Sequence, residues 1–446
     1  MSDAQQLFTG WGRTAPTLAR PVSTCVHDVA AAVAAAGPRG IIARGLGRSY
    51  GDPAQNAGGD VLTPLPSSID LDEATGLARV SAGTSLHDLI RAALPRGWFV
   101  PVTPGTRYVT VGGAIATDVH GKNHHRDGGF GSHVRELRLV TADGGEWTVS
   151  PQQDGELFWA TVGGMGLTGV ITEATVAMTP VESPLLRVHT RRVDDLATLM
   201  ALMQEADRDA TYSVAWIDTL ARGRHLGRSV LTTGEHASAD EARARGGTGA
   251  GVPGDPLRVV PPVVPSGLVS RTSIRAFNEL WFRKAPRDRR DELQGVGQFF
   301  HPLDGIADWN RLYGPAGFVQ YQLVVPDRAA EVLSVVLERI AERGHPSFLS
   351  VLKRLGDEGP GLLSFPLRGW TLAMDLPAAR DLEPLLRELD ALVLGAGGRH
   401  YLAKDARMSP ETLAAGYPRL AEFRRIRDRV DPNRVFCSDL ARRLDL

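Results

Sequence analysis

Apolar and polar residues alternate along Val170 to Thr179 (VITEATVAMT), the spacing of a half-buried strand, and the alternation stops at Pro180. Tyr212 to Asp218 (YSVAWID) has the same character. Leu196, Leu199, Met200, Leu202 and Met203 recur instead at helical spacing and predict a helix within Val193 to Asp207. Nearer the start, the pattern predicts a helix near His27 to Ala36, a strand at Ile41 to Arg44, and strand, turn and strand between Asp60 and Gly83. Ser85 can cap a helix from Leu86 to Leu94 that Pro95 ends. Glu136 to Ser150 reads as a hairpin turning at Asp143-Gly144, and Glu156 to Ala160 as a short helix.

From Ser183 the texture changes, and two later stretches repeat one pattern. Gln320 to Lys353 and Thr371 to Lys404 each read strand, helix, strand, with Gly344 ending the first helix. Pro326 and Pro377 lie 51 residues apart, and so do Lys353 and Lys404. Such a repeat predicts helices layered on one face of a sheet. It also places the two lysines at equivalent strand ends, either solvated or aimed from the open face at a ligand. Thr232 to Arg271 is rich in Gly, Pro and Ala and reads as a flexible loop or a lid, with an apolar core at Val259 to Val264. The last stretch reads as helix, an Asp431-Pro432 break and a short terminal segment that could return to the first unit.

Length and composition change this picture little. The 446 residues suggest two or three domains, and 23% charged residues with a net charge of −1 are ordinary for a globular protein. Near-neutrality gives no support for nucleic-acid binding. No eighteen-residue apolar run predicts a transmembrane helix, and MSDAQQLFTGWGRTAP lacks the layout of a secretory signal, so a cytoplasmic protein is the default. Two cysteines, Cys25 and Cys437, exclude a disulfide scaffold or a thiolate metal cluster.

The candidate chemistry concentrates in Pro101 to Val134, whose thirty-four residues hold seven glycines and four of the twelve histidines. That density suggests a backbone wrapped closely around a nucleotide-type cofactor, with its reactive ring near His120. The strand at Ile41 runs straight into Gly45 to Asp52 (GLGRSYGD), a turn able to cradle phosphate on backbone N–H groups. It is not a GxGxxG turn before an amphipathic helix, which disfavours a Rossmann domain. His124, His125 and His133 have few carboxylates nearby and no HExxH spacing, so no metal site is expected.

ARGLGRSYGD, PGTRYVTVGGAIATDVHGKNHH and ELFWATVGGMGLTG resemble the vanillyl-alcohol-oxidase-like flavoprotein superfamily. More narrowly, with YGPAGFVQYQ and YLAKDAR, they resemble the FAD-dependent decaprenylphosphoryl-β-D-ribose 2′-oxidases over nearly the whole chain. The resemblance implies an α+β protein: a two-subdomain FAD-binding domain at 1–182 and a substrate domain at 183–407 with a helix-covered antiparallel sheet. Residues 408–446 would return to the first domain. It places FAD against Ala43, Arg44, Gly45, Leu46, Gly47, Arg48, Ser49, Tyr50, Gly51, Asp52 and Pro53. Gly105, Thr110, Val111, Gly112, Gly113, Thr117, Asp118, Val119, His120 and Tyr401 complete that set, with Thr110 to Gly113 on the phosphate side. Related oxidases with covalent flavin carry R-G-x-x-H-S where this chain has Arg44 to Ser49, so Arg48 replaces the linking histidine and noncovalent FAD is expected.

The implied reaction oxidises the ribose 2′-hydroxyl of a polyprenylphosphoryl-β-D-ribose to a 2-keto intermediate, with His120 and Lys404 as the catalytic residues. Whether Lys404 acts as a base or as a fixed cation stays open. Trp216, Phe300, Gln320, Gln322, Lys353, Thr371 and Ala373 match family pocket positions, and Val259 to Val264 could border the tail. Mycobacterial members carry tyrosine, asparagine and cysteine at Phe300, Thr371 and Ala373, which puts sugar or tail preference in question. Implied partners are the lipid-tailed sugar, a separate NAD(P)H-dependent keto-reductase and a peripherally contacted membrane. Two other readings stand beside this one: an alditol or sugar-lactone oxidase using O2, and a non-catalytic flavin-binding scaffold for a reductase.

Overall fold

Ile41 and Ile42 are fully buried because strand Ile41–Ala43 is held from both sides. On one side it pairs in parallel with Asp60–Leu62, which pairs in parallel with Thr17–Val22; Gln6–Phe8 completes the sheet. On the other side the C-terminal segment returns: Ile41 N–H donates to Val435 O at 2.8 Å and Cys437 N–H to Ile41 O at 3.1 Å. Arg443 then forks onto both Asp52 oxygens at 3.0 and 2.7 Å and reaches Asp405 at 2.8 Å. These contacts belong to a computed structural model that describes residues 5–244, 251–265 and 267–446 of an α+β chain.

A second sheet orders Ile69–Asp72, Leu77–Ser81, Val170–Ala177, Val134–Val140 and Glu146–Val149, all antiparallel. The stretch from Asp60 to Gly83 therefore holds three strands divided between two sheets, and not two. Ile69–Asp72 (IDLD) escapes the pattern because it is an edge strand whose residues are only half-buried or exposed. Helix Leu86–Ala93 is capped as expected, Ser85 Oγ accepting the Asp88 N–H at 3.0 Å.

The third sheet has eight strands: β1 Leu185–Val193, β2 Tyr212–Ile217, β3 Ser229–His236, β4 Asp288–Gly295, β5 Phe318–Pro326, β6 Ser350–Leu355, β7 Gly369–Pro377 and β8 Arg399–His400. They lie in the order β4-β1-β3-β2-β6-β7-β5-β8, and every neighbouring pair is antiparallel. Four helices belong with them: α1 Leu196–Ala206, α2 Arg271–Lys284, α3 Val332–Arg343 and α4 Leu382–Gly395. The repeat read from the sequence is thus two halves of one split β-α-β unit, β5 to β8. Strands β1 to β4 have the same order, and the two units join through their second strands, β2 and β6. Leu199 and Met203 of α1, Leu337 of α3 and Leu386 of α4 form one core with Leu323, Leu352 and Leu372 of the sheet. Three helices therefore cover one face.

Two expectations need correction. Thr232 to His236 belongs to β3 and Ala239–Ala244 is helical, so the loop predicted from Thr232 begins later. β3 is unreadable as a buried strand because Thr232, Thr233 and Gly234 interrupt its apolar run. Residues 245–250 and 266 of that loop lie outside the described residues. Lys353 lies inside β6, paired with Thr371, whereas Lys404 lies in the 3-10 turn Leu402–Lys404 beyond β8. The lysines are not at equivalent strand ends, because β8 is only two residues long.

Candidate active site

The uncovered face of the eight-stranded sheet meets the glycine-rich segments across a cavity of about 1170 Å³. That exceeds the ~300–1,000 Å³ of ordinary small-ligand sites, leaving room for a large cofactor together with a substrate. At one end lies the Gly45 to Ser49 turn. Among the described residues, the backbone N–H groups of Gly45, Leu46, Gly47, Arg48 and Ser49 donate to no protein acceptor, while those of Arg44 and Tyr50 bond to Leu62 O and Ala403 O. Five consecutive free donors on a cavity wall suit a polyanion. Arg44 braces the turn from behind, donating to Ala54 O at 3.0 Å and Thr9 O at 2.7 Å.

The backbone N–H groups of Val111 to Gly113 already have protein acceptors. Val111 N–H is bonded to Thr84 O, Gly112 N–H to Ala82 O, and Gly113 N–H to the Thr110 hydroxyl that caps helix Val111–Ala116. Thr110, Gly112 and Gly113 line the cavity, with the N–H groups of Val111 to Gly113 already used. Gly45 lies close to that segment, since a Cβ there would stand 2.4 Å from Thr110 Oγ1.

His120 is buried, and its Nε2 lies 3.0 Å from the amide nitrogen of Gln322 on β5. Burial, then the charges of Lys353, His124 and Lys404, hold its pKa well below the ordinary histidine value. A neutral ring accepting the Gln322 N–H at Nε2 carries its own proton on Nδ1, which has no partner. The other Gln322 amide hydrogen goes to Thr371 Oγ1 at 3.2 Å. Below His120 the chain is pinned by Asp118, which has φ +40° and accepts Ser364 Oγ–H at 2.6 Å and Gly131 N–H at 2.9 Å. Tyr401 O–H donates to Thr117 O at 2.8 Å.

Three lysines, Lys122, Lys353 and Lys404, line the cavity deep in the molecule, their remaining exposure being onto it. Burial lowers Lys353 to about 8. Burial, then the charge of Lys353, lowers Lys122 to about 7. Lys404 is lowered by burial, against the pull of Asp375 and with the push of Lys353. Its Nζ lies 3.9 Å from the centre of the Tyr50 ring. Asp375 is fully buried, held by a hydrogen bond from Gln320, and pushed upward by that burial. Crowding cations in a poorly solvated place disfavours charging them all, and an anionic ligand reverses that cost.

Most residues expected at the site reach the cavity, including Trp216, Phe300, Gln320, Gln322, Lys353, Ala373 and Lys404. Val111 points into the core, Asp52 into its pair with Arg443, and Asp118 beneath His120, while Thr371 stands one layer behind Gln322. Val260 packs among Trp309, Tyr313 and Phe318 behind the lining, so Val259 to Val264 do not border the cavity directly. His124, His125 and His133 spend a ring nitrogen each on backbone groups of Gly356, Ala210 and Asp127. Lys122 was overlooked although it lies inside the HGKNHH string, as were Met165 and Gly166 of the glycine-dense turn, which also line the cavity.

A family model described as an FAD binding domain matches residues 20–150, and one described as D-arabinono-1,4-lactone oxidase matches residues 373–444. The chain is 45% identical to a decaprenylphosphoryl-β-D-ribose oxidase of Mycolicibacterium smegmatis, over 98% of this chain and 97% of that protein. The chain belongs to that oxidase family. It is also 26% identical to an alditol oxidase of a Streptomyces species (97% of this chain, 96% of that one) and 25% identical to an L-gulono-1,4-lactone dehydrogenase of Mycobacterium tuberculosis (96% and 95%). It is accordingly an FAD-dependent oxidoreductase, and the residues present fit the cofactor: the five free N–H groups suit its pyrophosphate and the adjoining cavity has space for its rings. Arg48, stacked on Trp11 with its guanidinium carbon 3.9 Å from the ring centre, offers no nucleophile for a covalent link.

Proposed function

We propose that this oxidoreductase converts the 2′-hydroxyl of a polyprenylphosphoryl-β-D-ribose to a ketone, the first half of 2′-epimerisation toward an arabinose donor for cell-wall arabinan. The observation that carries this reading is the polarity of the cavity. Its Lys122, Lys353 and Lys404 region continues into a passage lined by Ile274, Phe277, Leu303, Leu312, Phe348 and Leu349. A sugar phosphate with a long apolar tail uses both parts, whereas a free polyol leaves the passage empty.

When bound, FAD supplies the two-electron acceptor for the carbon that carries the hydroxyl. The residues of the chain manage protons and charge. Lys404 Nζ, kept by burial from its ordinary protonation, takes the hydroxyl proton as the C–O bond becomes C=O. Lys353 and Lys122 hold the phosphodiester and stabilise a developing negative oxygen, beside the neutral ring of His120. A separate NAD(P)H-dependent keto-reductase then reduces the ketone from the other face. Lys404→Met tests the assignment: FAD absorbance remains while reduction by substrate falls by about 10²–10⁴-fold, and an unchanged rate removes Lys404 from the reaction.

A further inference from the structure

Strand β8 pairs only with Leu323 and Val324 of β5, so Val319 to Gln322 face the turn Leu402–Lys404 and the residues after it instead of another strand. A second cavity of about 20 Å³ lies there, lined by Gln320, Gln322, Asp390, His400, Lys404 and Arg407. A polar space of about 10–15 Å³ is enough for one water. Gln320, Gln322 and Lys404 also line the large cavity, so the small one begins where Lys404 ends the substrate site. His400 belongs to the opposite face of the sheet. It pairs with Leu323, which packs in the helix-covered core, and its ring centre is 5.1 Å from that of Tyr321. The small cavity therefore joins the two faces past the end of β8.

His400 is buried, yet neither of its ring nitrogens has a hydrogen-bond partner. Nε2 stands 3.2 Å from Oδ1 of Asp390 on α4, off the direction of a hydrogen bond. A buried ring with both nitrogens unspent, on a polar cavity of this size, fits an ordered water. Asp390 also accepts the Tyr321 O–H at 3.1 Å and an N–H of Arg407. The Asp390 and Arg407 side chains are 12% and 17% exposed, so this carboxylate connects the ring to solvent. Burial lowers the His400 pKa against the pull of Asp390, which leaves the resting ring neutral and able to take up a proton.

We infer that the small cavity holds one water linking Lys404 to His400, and that His400 and Asp390 carry the substrate's hydroxyl proton out to solvent while the product still fills the large cavity. The relay rests on the reading of Lys404 as the base. Oxidation moves the C–H hydrogen with its two electrons to FAD and the O–H proton to Lys404. The Lys404 ammonium gives that proton to the water, the water gives one to His400, and the imidazolium beside Asp390 loses it at the exposed edge of the carboxylate.

The test is anaerobic stopped-flow of the FAD-loaded protein with a short-tailed polyprenylphosphoryl ribose, in weak buffer with phenol red. Flavin bleaching and proton release are followed together. In the wild type one proton per flavin should appear with bleaching. His400→Leu and His400→Gln should keep their FAD and release the proton at least about tenfold later than the flavin bleaches, although glutamine can still hydrogen-bond the water. Proton release in step with bleaching in the FAD-loaded His400→Gln variant overturns the relay and leaves the substrate reading standing. Absence of bleaching in the wild type removes the substrate reading and the relay with it. A crystal structure of the FAD-loaded protein should show the water between Lys404 and His400, and a dry cavity overturns the relay whatever the kinetics.

Discussion

The amide nitrogen of Gln322 stands 3.0 Å from Nε2 of His120, joining the penultimate strand of the eight-stranded sheet to the histidine of the glycine-rich segment. This bond fixes which ring nitrogen of the neutral histidine carries the proton. Gln322→Ala leaves Nε2 buried without a partner, a loss of about 1–3 kcal/mol. Flavin reduction is expected to slow by about 10–100-fold at unchanged FAD content; stopped-flow absorbance measures it, and a wild-type rate contradicts the role.

Lys353 predicts a pH dependence. With its pKa lowered to about 8, it is charged below that pH and neutral above it. Affinity for an anionic substrate should therefore weaken as pH rises through about 8, and Lys353→Met should bind weakly with that transition removed. The stability sign is the opposite. The unfolded lysine binds a proton up to about 10.4 while the folded one releases it near 8, so the cofactor-loaded, substrate-free protein gains stability from this group as pH rises across that window. Melting temperatures at pH 7 and 9.5, with and without inorganic phosphate, measure both trends; phosphate should stabilise more at pH 7.

Gly51 predicts a steric failure. A Cβ at this position would stand 1.8 Å from Asp405 O, next to Lys404. Gly51→Ala must push the nucleotide-side turn and the Lys404 turn apart, and the backbone contact allows no side-chain adjustment. Purified variant is expected to retain less than half the wild-type FAD and to melt earlier, whereas full FAD occupancy would contradict the contact.

Arg48 predicts the mode of cofactor attachment. Acid precipitation should leave a colourless pellet and a yellow supernatant, because arginine stands where covalent relatives carry histidine. Colour retained in the pellet would show a covalent link through some other residue.

These positions differ in how readily the sequence reveals them. The Gly45 to Ser49 turn was legible because an apolar strand runs directly into it. Thr110 to Gly113 looked equally suited to phosphate, but the donors of Val111, Gly112 and Gly113 are taken by Thr84, Ala82 and Thr110, and the first two of these partners no local spacing announces. The β5–β8 unit was visible because its two halves repeat strand, helix and strand at one 51-residue spacing. Its counterpart β1–β4 was hidden because edge strand β4 (DRRDELQG) is exposed and charged and lacks apolar alternation. Lys122 was overshadowed by the histidines around it. Its place beside Phe299, 4.2 Å from the ring centre, follows from a helix nearly two hundred residues away.

The central claim is that the lysine-lined end and the apolar passage serve one lipid-tailed sugar phosphate. Anaerobic titration of the yellow protein with a polyprenylphosphoryl-β-D-ribose, and separately with simple polyols, tests it most directly. Stoichiometric bleaching of the flavin is expected with the lipid-linked ribose and none with millimolar polyols. Bleaching by polyols with no response to the lipid-linked ribose would contradict it and favour an alditol-oxidase activity.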